Sequence, residues 1–305
     1  MSSPQKTVIT GVSGLVGFHL ADRLCRSDPG HRVVGLSRTS NQNVEDLLAH
    51  PNFSFRTVDI VETPDLDELL EGAQLVYHLA AESAVYRVKR DPVGGLKTNV
   101  QGTLQLLLSA ARTGVSKVVY TSAGAVYQSQ RYAREDYVGQ PPSFYGAGKL
   151  AAESYVRVAG DTLGLRYTIL RLARVYGPRM TRGAIFDLIQ DFRARRPANM
   201  YAHPDSIFDF VYVQDVVSAL IMAAGELWDE VTANIASGRG VRLTDLHAAF
   251  ADLFGYTVPL QQVEAEASVD VLLIDRARSL GWEPRHSLEM GLDETIRFLL
   301  DLGQL

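Results

Sequence analysis

Short, continuously apolar runs alternate with longer amphipathic stretches through the first two-thirds of the chain. The runs are TVIT (7–10), RVVGL (32–36), LVYHLAA (75–81), KVVYTS (117–122) and YTILRL (167–172), and helical patterns such as HLADRLCRS lie between them. Because the runs are apolar at nearly every position rather than at alternate ones, both faces of each strand are expected to be covered. The pattern predicts an α/β fold, in which helices flank both faces of a doubly wound parallel sheet.

The pattern loosens after residue 172, where prolines and glycines become frequent at 177–178, 183, 197 and 204. An apolar run and helix follow at 208–225, and the last two periodic stretches, LTDLHAAFADLFG and SLEMGLDETIRFLLDL, are helical by their 3.6-residue repeat. The sequence therefore predicts a sheet domain formed by 1–172 plus about 206–235. A smaller α/β C-terminal lobe is expected from about 173–205 plus 236–305.

Composition and charge exclude several classes of function. The 305 residues are 46% hydrophobic and carry a formal net charge of −5, so no basic field favours a nucleic-acid partner. Cys25 is the single cysteine, which excludes an internal disulfide framework, and no histidine or cysteine cluster has metal-ligand spacing. No apolar run reaches the roughly 18 residues of a membrane span, and the N-terminal MSSPQK is polar. We interpret the protein as cytoplasmic and metal-free.

A glycine-rich segment joins the first strand to the first helix. In VITGVSGLVGFHLADRL, Gly11, Gly14 and Gly17 follow the strand directly. Glycines at such a turn let the backbone approach a pyrophosphate, which the free N–H groups of the helix N-terminus then bind. The spacing is G-x-x-G-x-x-G rather than the common G-x-G-x-x-G, and close helix packing is the alternative explanation. The segment predicts a dinucleotide cofactor.

The end of the second strand bears on the choice between NAD and NADP. NAD-selective sites usually place a carboxylate here to bind the ribose hydroxyls. This chain has Ser37 and Arg38 instead, a hydroxyl and a guanidinium that would suit a 2′-phosphate. The pair favours NADP, with a solvated surface arginine as the alternative.

The stretch SFYGAGKLAAE (143–153) places Tyr145 and Lys149 four residues apart, on one face of a predicted helix. A free tyrosine has a pKa of about 10 and is a poor base at neutral pH. A neighbouring ammonium, together with the positive ring of an oxidised nicotinamide, favours the phenolate and lowers that pKa, which suits general-base catalysis. We interpret the pair as catalytic, the alternative being a chance arrangement on a helix surface.

Six ordered segments carry a family resemblance: TGVSGLVG, YHLAA, NVQGT, VVYTSAGAVY, YGAGK and LRLARVYGPR. With them the chain resembles the extended short-chain dehydrogenase/reductase family, and within it the nucleotide-sugar epimerase/dehydratase branch. The resemblance implies a Rossmann domain that binds NAD or NADP and a smaller lobe that binds the substrate. It also implies a homodimer formed through helices at about 94–113 and 146–160.

The resemblance assigns roles to individual positions. It implies a catalytic set of Tyr145, Lys149 and Ser122, with Thr121 as the second choice for the hydroxyl. Many sugar epimerases have serine or threonine at the position of Ala123. The implied cofactor contacts are Gly11, Ser13, Gly14, Leu15, Val16, Gly17, Ser37, Arg38, Asp59, Ile60, Leu79, Ala80, Ala81, Asn99, Tyr145 and Lys149. The implied substrate contacts are Ser83, Ser122, Ala123, Tyr145, Arg174, Arg179 and Phe208.

Departures from the family pattern reduce the number of reactions that this chain is expected to catalyse. Dehydratases and decarboxylases of the family have an acid just after the serine, where this chain has Gly124 and Ala125. We therefore expect a 4-epimerase-like enzyme that transiently oxidises a carbinol carbon; the alternatives are a reductase of a sugar or polyol ketone and a non-catalytic dinucleotide-binding module.

The expected substrate pocket also departs from the family. Arg174 stands where many relatives have asparagine, and Phe208 where they usually have an arginine on the substrate diphosphate. A sugar nucleotide and another sugar or uronate conjugate both remain open as substrates. Tyr201 and His203 are interpreted as loop residues.

Overall fold

The structure is a computed structural model that describes residues 5–63, 66–127, 132–137, 139–200, 202–261, 264 and 266–301. Tyr201 lies outside the described residues. Contacts divide the chain into two compact units. The first comprises Met1–Gln128, Glu135–Leu172 and Val217–Ala233, and the second comprises Ser129–Arg134, Ala173–Val216 and Asn234–Leu305.

Strands and helices alternate along most of the chain. The strands are β1 (Lys6–Thr10), β2 (Arg32–Ser37), β3 (Phe53–Thr57), β4 (Leu75–His78), β5 (Lys117–Ala123), β6 (Arg166–Leu172), β7 (Arg174–Tyr176), β8 (Ile207–Tyr212), β9 (Val231–Ile235), β10 (Gly240–Arg242) and β11 (Val269–Asp270). The helices are α1 (Leu15–Ser27), α2 (Gln42–Leu47), α3 (Asp67–Leu70), α4 (Val85–Arg90), α5 (Pro92–Leu96), α6 (Gly102–Arg112), α7 (Phe144–Leu163), α8 (Ala184–Arg193), α9 (Val213–Ala223), α10 (Leu243–Phe254), α11 (Asp275–Ser279) and α12 (Leu288–Asp301). Among these described helices, none has both the length and the apolar character needed to cross a membrane.

A seven-stranded sheet has the order β3-β2-β1-β4-β5-β6-β9. The neighbours from β3 through β6 pair in parallel, and the strand order reverses between β1 and β4. Apolar side chains of β1, β4 and β5 are buried with those of α6 and α7 in one cluster. The predicted doubly wound α/β fold is confirmed, and ligands of such sheets bind beyond the strand ends at the reversal.

Two strands differ from the sequence prediction. The sequence missed β3, whose residues FSFRT are half-exposed or exposed after the first, because an edge strand has no continuous apolar run. β4 ends at His78 instead of reaching Ala81. The chain leaves the sheet there because the amides of Leu79 and Ala80 donate to the Thr10 hydroxyl.

A four-stranded sheet is built around β8, which pairs antiparallel with β10 and parallel with β7 and β11. The sequence assigned the whole of 206–235 to the parallel sheet, but β8 lies in the smaller sheet and β9 in the larger one. Each strand of β7, β10 and β11 has three residues or fewer. Such short strands leave little periodicity for a sequence pattern to detect.

Candidate active site

The glycine turn between β1 and α1 is closed against the neighbouring strand end. Gly11 has a φ of 75°, and a Cβ there would lie 2.8 Å from the backbone nitrogen of Ala80. A Cβ on Gly17 would lie 2.4 Å from the Gly11 carbonyl oxygen. Among the described residues no side chain caps α1 at Gly14, so the N–H groups of its first turn, at Leu15 and Val16, suit an anion. The turn therefore fits the pyrophosphate of a dinucleotide.

Ser37 braces this turn from the end of β2. Its buried hydroxyl accepts a hydrogen bond from the Ser13 amide at 3.1 Å. The Ser13 carbonyl in turn accepts from the side chains of Asn41 and Asn43 at 3.0 and 3.1 Å. Arg38 is exposed. The Ser37 hydroxyl is thus engaged by the protein, so one of the two groups on which the preference for NADP rested has a structural partner.

His78 links the glycine turn to α6 through two buried hydroxyls. Its Nδ1 is 2.7 Å from the Thr10 Oγ1, and its Nε2 is 2.9 Å from the Thr103 Oγ1. Because Thr103 donates to the Asn99 carbonyl, its oxygen accepts from Nε2–H, and Nδ1 accepts from Thr10. Burial lowers the pKa of His78 to about 3. The imidazole is therefore neutral and has a structural role, since it connects Thr10 to Thr103.

Asn99 lies in a single π-helical turn, Lys97–Gln101, immediately before α6. Its side-chain amide brackets the backbone of Glu82: the Oδ1 accepts from the Glu82 amide at 2.8 Å and the Nδ2 donates to the Glu82 carbonyl at 3.1 Å. Ser83, which follows, is exposed. Asn99 thus fixes the segment 79–82 that leaves β4.

Asp59 and Ile60 follow β3 in the first unit. The Asp59 Oδ1 accepts from the Val61 amide at 2.9 Å, which stabilises the turn. Ile60 is buried, and a Cβ on Gly102 would lie 2.7 Å from its side chain. These contacts give both of these implied cofactor residues a role in the fold itself.

Tyr145 and Lys149 occupy successive turns of α7. The helix begins at the Ser143 cap, whose hydroxyl accepts from the Gly146 amide at 3.1 Å. The buried Nζ of Lys149 donates to the Thr121 carbonyl at 2.8 Å and lies 4.7 Å from the centroid of the Tyr120 ring. Burial lowers the pKa of Lys149 to about 7, against the opposing charge of Glu153. The amine is therefore close to its titration point at neutral pH.

The first turn of α7 packs directly on the turn Gly124–Val126 that follows β5. A Cβ on Gly146 would lie 2.0 Å from the Ala125 carbonyl oxygen. Only glycine permits a backbone contact this close. The contact fixes the first turn of α7 and therefore the position of Tyr145, which precedes Gly146. This is a physical reason for the glycine that directly follows the tyrosine.

The two candidate hydroxyls of β5 both have protein partners. The Ser122 Oγ donates to the Glu153 Oε1 at 2.5 Å, and the Thr121 Oγ1 donates to the His78 carbonyl at 3.2 Å. Ala123, which ends β5 and is half-exposed, has no hydroxyl. The sequence analysis predicted that the Ser122 hydroxyl donates to the substrate oxygen. In the structure this hydroxyl donates to the Glu153 carboxylate instead.

The sequence analysis missed Glu153 and its partner Arg171. Glu153 is fully buried on α7, and Arg171 on β6 binds it through two nitrogens at 2.9 and 2.7 Å. A signal was present, because Glu153 follows Lys149 by four residues and so lies on the same face of the helix. Arg171 stood within an apolar strand, and nothing in the sequence paired it with residue 153.

A buried hydroxyl without a partner gives one prediction. The Tyr120 Oη is buried and makes no hydrogen bond within the described part of the chain. An unpaired buried polar group costs about 1–3 kcal/mol, so Tyr120→Phe is expected to raise the free energy of unfolding by roughly 1 kcal/mol. Urea unfolding followed by circular dichroism measures it. Tyr176→Phe, which removes a hydroxyl that donates to the Leu288 carbonyl at 3.3 Å, should have the opposite sign; a loss of stability in both variants would contradict the prediction.

The predicted substrate contacts of the second unit are Arg174, Arg179 and Phe208. The Arg174 guanidinium lies 3.7 Å from the centroid of the Phe208 ring and binds Asp270 at 3.1 Å, so its charge is paired within this unit. Arg179 has a φ of 70° and lies 5.4 Å from the centroid of the Phe298 ring. Arg174 and Phe208 therefore form one stacked pair on neighbouring strands.

Comparisons of the sequence and of the structure with known proteins match the same kind of protein over most of the chain. A family model described as "NAD dependent epimerase/dehydratase family" matches residues 7–236. The UDP-glucose 4-epimerase of Mycolicibacterium smegmatis is 32% identical over 315 residues, which cover 98% of this chain and 100% of the relative. The crystal structure of Thermotoga maritima UDP-glucose 4-epimerase with UDP-glucose has a TM-score of 0.89 at 29% identity, covering 98% and 99% of the two chains. Bacillus cereus UDP-glucuronic acid 4-epimerase, in complex with UDP-glucuronic acid and NAD, has a TM-score of 0.91 at 26% identity, covering 98% and 100%.

Proposed function

The chain belongs to the NAD-dependent epimerase/dehydratase family, and on that premise we propose that it is a 4-epimerase of a nucleotide sugar. It is an NAD-dependent enzyme of the extended short-chain dehydrogenase/reductase type. The preference for NADP drawn from Ser37 and Arg38 is not supported, because the Ser37 hydroxyl braces the glycine turn and solved neighbours hold NAD. Relatives that act on UDP-glucose and UDP-glucuronate make these the first candidate substrates.

One observation carries the proposal: a tyrosine and a buried lysine share one face of α7, and the lysine amine is fixed to the end of β5. The glycine turn and the segment 79–81 would hold the dinucleotide. Bound NAD supplies reversible oxidation of one carbinol carbon of the sugar. The residues of the chain must then bind the sugar, exclude water and move one proton.

Tyr145 is the group proposed to move that proton. Its phenolate accepts the proton from the sugar hydroxyl as the carbon is oxidised and returns it when the carbon is reduced from the opposite face. Lys149 favours the phenolate when it is protonated, because opposite charges stabilise each other at short range. Since burial brings the lysine pKa to about 7, Lys149 exchanges its proton close to neutral pH.

The turn after β5 favours epimerisation over elimination. Gly124 and Ala125 offer no acid to protonate a leaving group, and the next acidic side chain in the described segment is Glu135, whose carbonyl accepts from Arg171. Relatives described as 4-epimerases align over nearly the whole chain, which supports the same choice against a reductase.

The proposed function is tested by incubating the purified protein with UDP-glucose, UDP-glucuronate or UDP-N-acetylglucosamine and no added cofactor. The expected result is the 4-epimer of one of them, detected by chromatography or proton NMR. Turnover that consumes stoichiometric NADH or NADPH would instead indicate a reductase. Bound NAD without turnover of any of these sugars would indicate a non-catalytic module.

We further propose a homodimer formed through α6 and α7. Leu108 on α6 and Tyr155 and Val158 on α7 are large apolar residues with 40%, 41% and 52% of their surface exposed. Their burial in a second copy would remove that apolar area from water. The double variant Leu108→Glu and Val158→Glu is expected to be monomeric by light scattering. Leu253→Glu, an equally exposed position on α10, should leave the mass unchanged; a monomeric wild type would contradict the proposal.

A further inference from the structure

We propose that Glu153 is a positioning residue of the active site and that the Ser122 hydroxyl serves this carboxylate rather than the sugar. The inference rests on the proposed epimerase function. It assigns the proton transfer to Tyr145 without a serine that donates to the substrate oxygen.

Both oxygens of Glu153 are fully used. The Oε1 accepts from the Ser122 hydroxyl at 2.5 Å and from the Arg171 Nε at 2.9 Å. The Oε2 accepts from Nη2 of Arg171 at 2.7 Å and from Nη2 of Arg157 at 2.9 Å. A buried carboxylate with four donors has the geometry that compensates its loss of water.

The charges around Glu153 keep it ionised. Burial would raise its pKa, but hydrogen bonds and charge from Arg171, with hydrogen bonds from Ser122 and Arg157, hold the pKa below its ordinary value. An ionised carboxylate is only an acceptor, so the serine proton must point at it. Charge-assisted hydrogen bonds of this length are among the stronger ones in proteins. Turning the serine towards a sugar would break that bond and leave a buried acceptor short of one donor.

Arg171 extends the network to the segment after β5 against which the first turn of α7 packs. Its Nη1 donates to the Tyr127 hydroxyl at 2.9 Å and to the Glu135 carbonyl at 3.0 Å, and its guanidinium lies 4.9 Å from the Tyr127 ring centroid. Tyr127 immediately follows the turn Gly124–Val126, whose Ala125 carbonyl abuts Gly146. Glu153 thus fixes, through two partners, the backbone that places Tyr145.

Glu153 also acts on the lysine one turn before it. Lys149 faces the Thr121 carbonyl and the Tyr120 ring from β5, His78 from β4, and Glu153 and Tyr145 from its own helix. His78 is neutral, with a pKa of about 3, and burial raises the pKa of Tyr120. The charge that raises the pKa of Lys149 against burial is that of Glu153. Its removal should favour the neutral amine.

The decisive variant is Ser122→Ala, assayed as the purified holoenzyme on the sugar nucleotide that the wild type converts. We expect kcat to fall less than tenfold, with a KM within threefold and an unfolding midpoint lower by roughly 2–4 °C. Ser154→Ala, at an exposed serine of α7, is the matched control and should change none of the three. A loss of 100-fold or more in kcat at an unchanged midpoint would show that Ser122 bonds the substrate and would overturn the inference.

Two further variants test Glu153 itself. Glu153→Gln is expected to lower kcat by 10–100-fold and to move the alkaline limb of its pH profile down by roughly one pH unit, because Lys149 loses a favourable charge. Tyr127→Phe keeps the packing of the ring and removes only the link to the turn; it should lower kcat 3–10-fold with KM unchanged. If Glu153→Gln does not fold, Tyr127→Phe and Ser122→Ala decide. An unchanged kcat in Tyr127→Phe, together with an unchanged kcat and pH profile in Glu153→Gln if that variant folds, would reduce Glu153 to a structural role.

A measurement without turnover separates this inference from the proposed function. In protein labelled with ¹⁵N-lysine, the Lys149 signal is identified by its loss in Lys149→Met, and its pKa is read from an NMR titration. The pKa is expected to be lower in Glu153→Gln than in the wild type by roughly one unit. An unchanged pKa would contradict the inference even in an active enzyme. A wild type inactive on every sugar nucleotide but with the shifted pKa would defeat only the proposed function.

Discussion

Tyr145→Phe is expected to lower kcat by about 10³-fold, with little change in the free energy of unfolding. The variant keeps the ring and removes only the oxygen that would take the proton. A general base contributes roughly 10²–10⁴-fold to a rate. Within the described residues, no second tyrosine lies on the same face of α7 as Lys149, so no other phenol of this helix can take over the role of Tyr145. Steady-state rates on the converted sugar nucleotide, with circular dichroism to check the fold, measure the effect.

Tyr132→Phe is the control for this variant, because Tyr132 is 61% exposed and should tolerate the loss of its hydroxyl. Bound NAD should be retained by both proteins. A Tyr145→Phe enzyme with more than a tenth of the wild-type kcat would remove the tyrosine from the role of base. The proposed mechanism would then have no proton acceptor.

Arg171→Met is expected to lower the free energy of unfolding by about 3–5 kcal/mol. The substitution leaves Glu153 buried with its bidentate partner gone, and a buried charge without compensation is strongly destabilising. It also removes the donor to the Tyr127 hydroxyl. Urea unfolding at neutral pH measures the effect.

Arg157→Met provides the matched comparison for Arg171→Met. Arg157 binds the same carboxylate oxygen at 2.9 Å, but 35% of its side chain is exposed, and such pairs contribute about 0–1 kcal/mol. Similar losses in both variants would mean that burial does not distinguish the two arginines. The double variant Glu153→Gln with Arg171→Met should be more stable than Arg171→Met alone, since it removes the uncompensated anion.

The hydrophobic pattern was sufficient for the parallel sheet because its strands are covered on both faces. β1, β2, β4, β5 and β6 all correspond to continuous apolar runs. The pattern missed β3 because most of its residues are partly or fully exposed to solvent. The short strands around β8 were missed because three residues establish no period, so the pattern indicated the smaller lobe without indicating the strands of its sheet.

For the site, local spacing was informative and long-range pairing was not. Tyr145 and Lys149 are four residues apart, and a helix brings such residues together without further information. His78 meets Thr10 and Thr103 from 68 and 25 residues away, which only the strand order decides. The direction of the Ser122 hydroxyl was likewise set by Glu153, 31 residues further along the chain.

Because of the buried amine of Lys149, the stability of the fold at low pH depends on which groups are bound beside that amine. In the unfolded chain this group has its ordinary pKa of 10.5, whereas in the folded protein burial brings it to about 7. Between these values unfolding takes up a proton, so the contribution of this one side chain opposes folding fully below pH 7 and fades as the pH rises towards 10.5. A bound ligand whose anionic group stays ionised, such as a phosphate, would relieve that opposition most below pH 7.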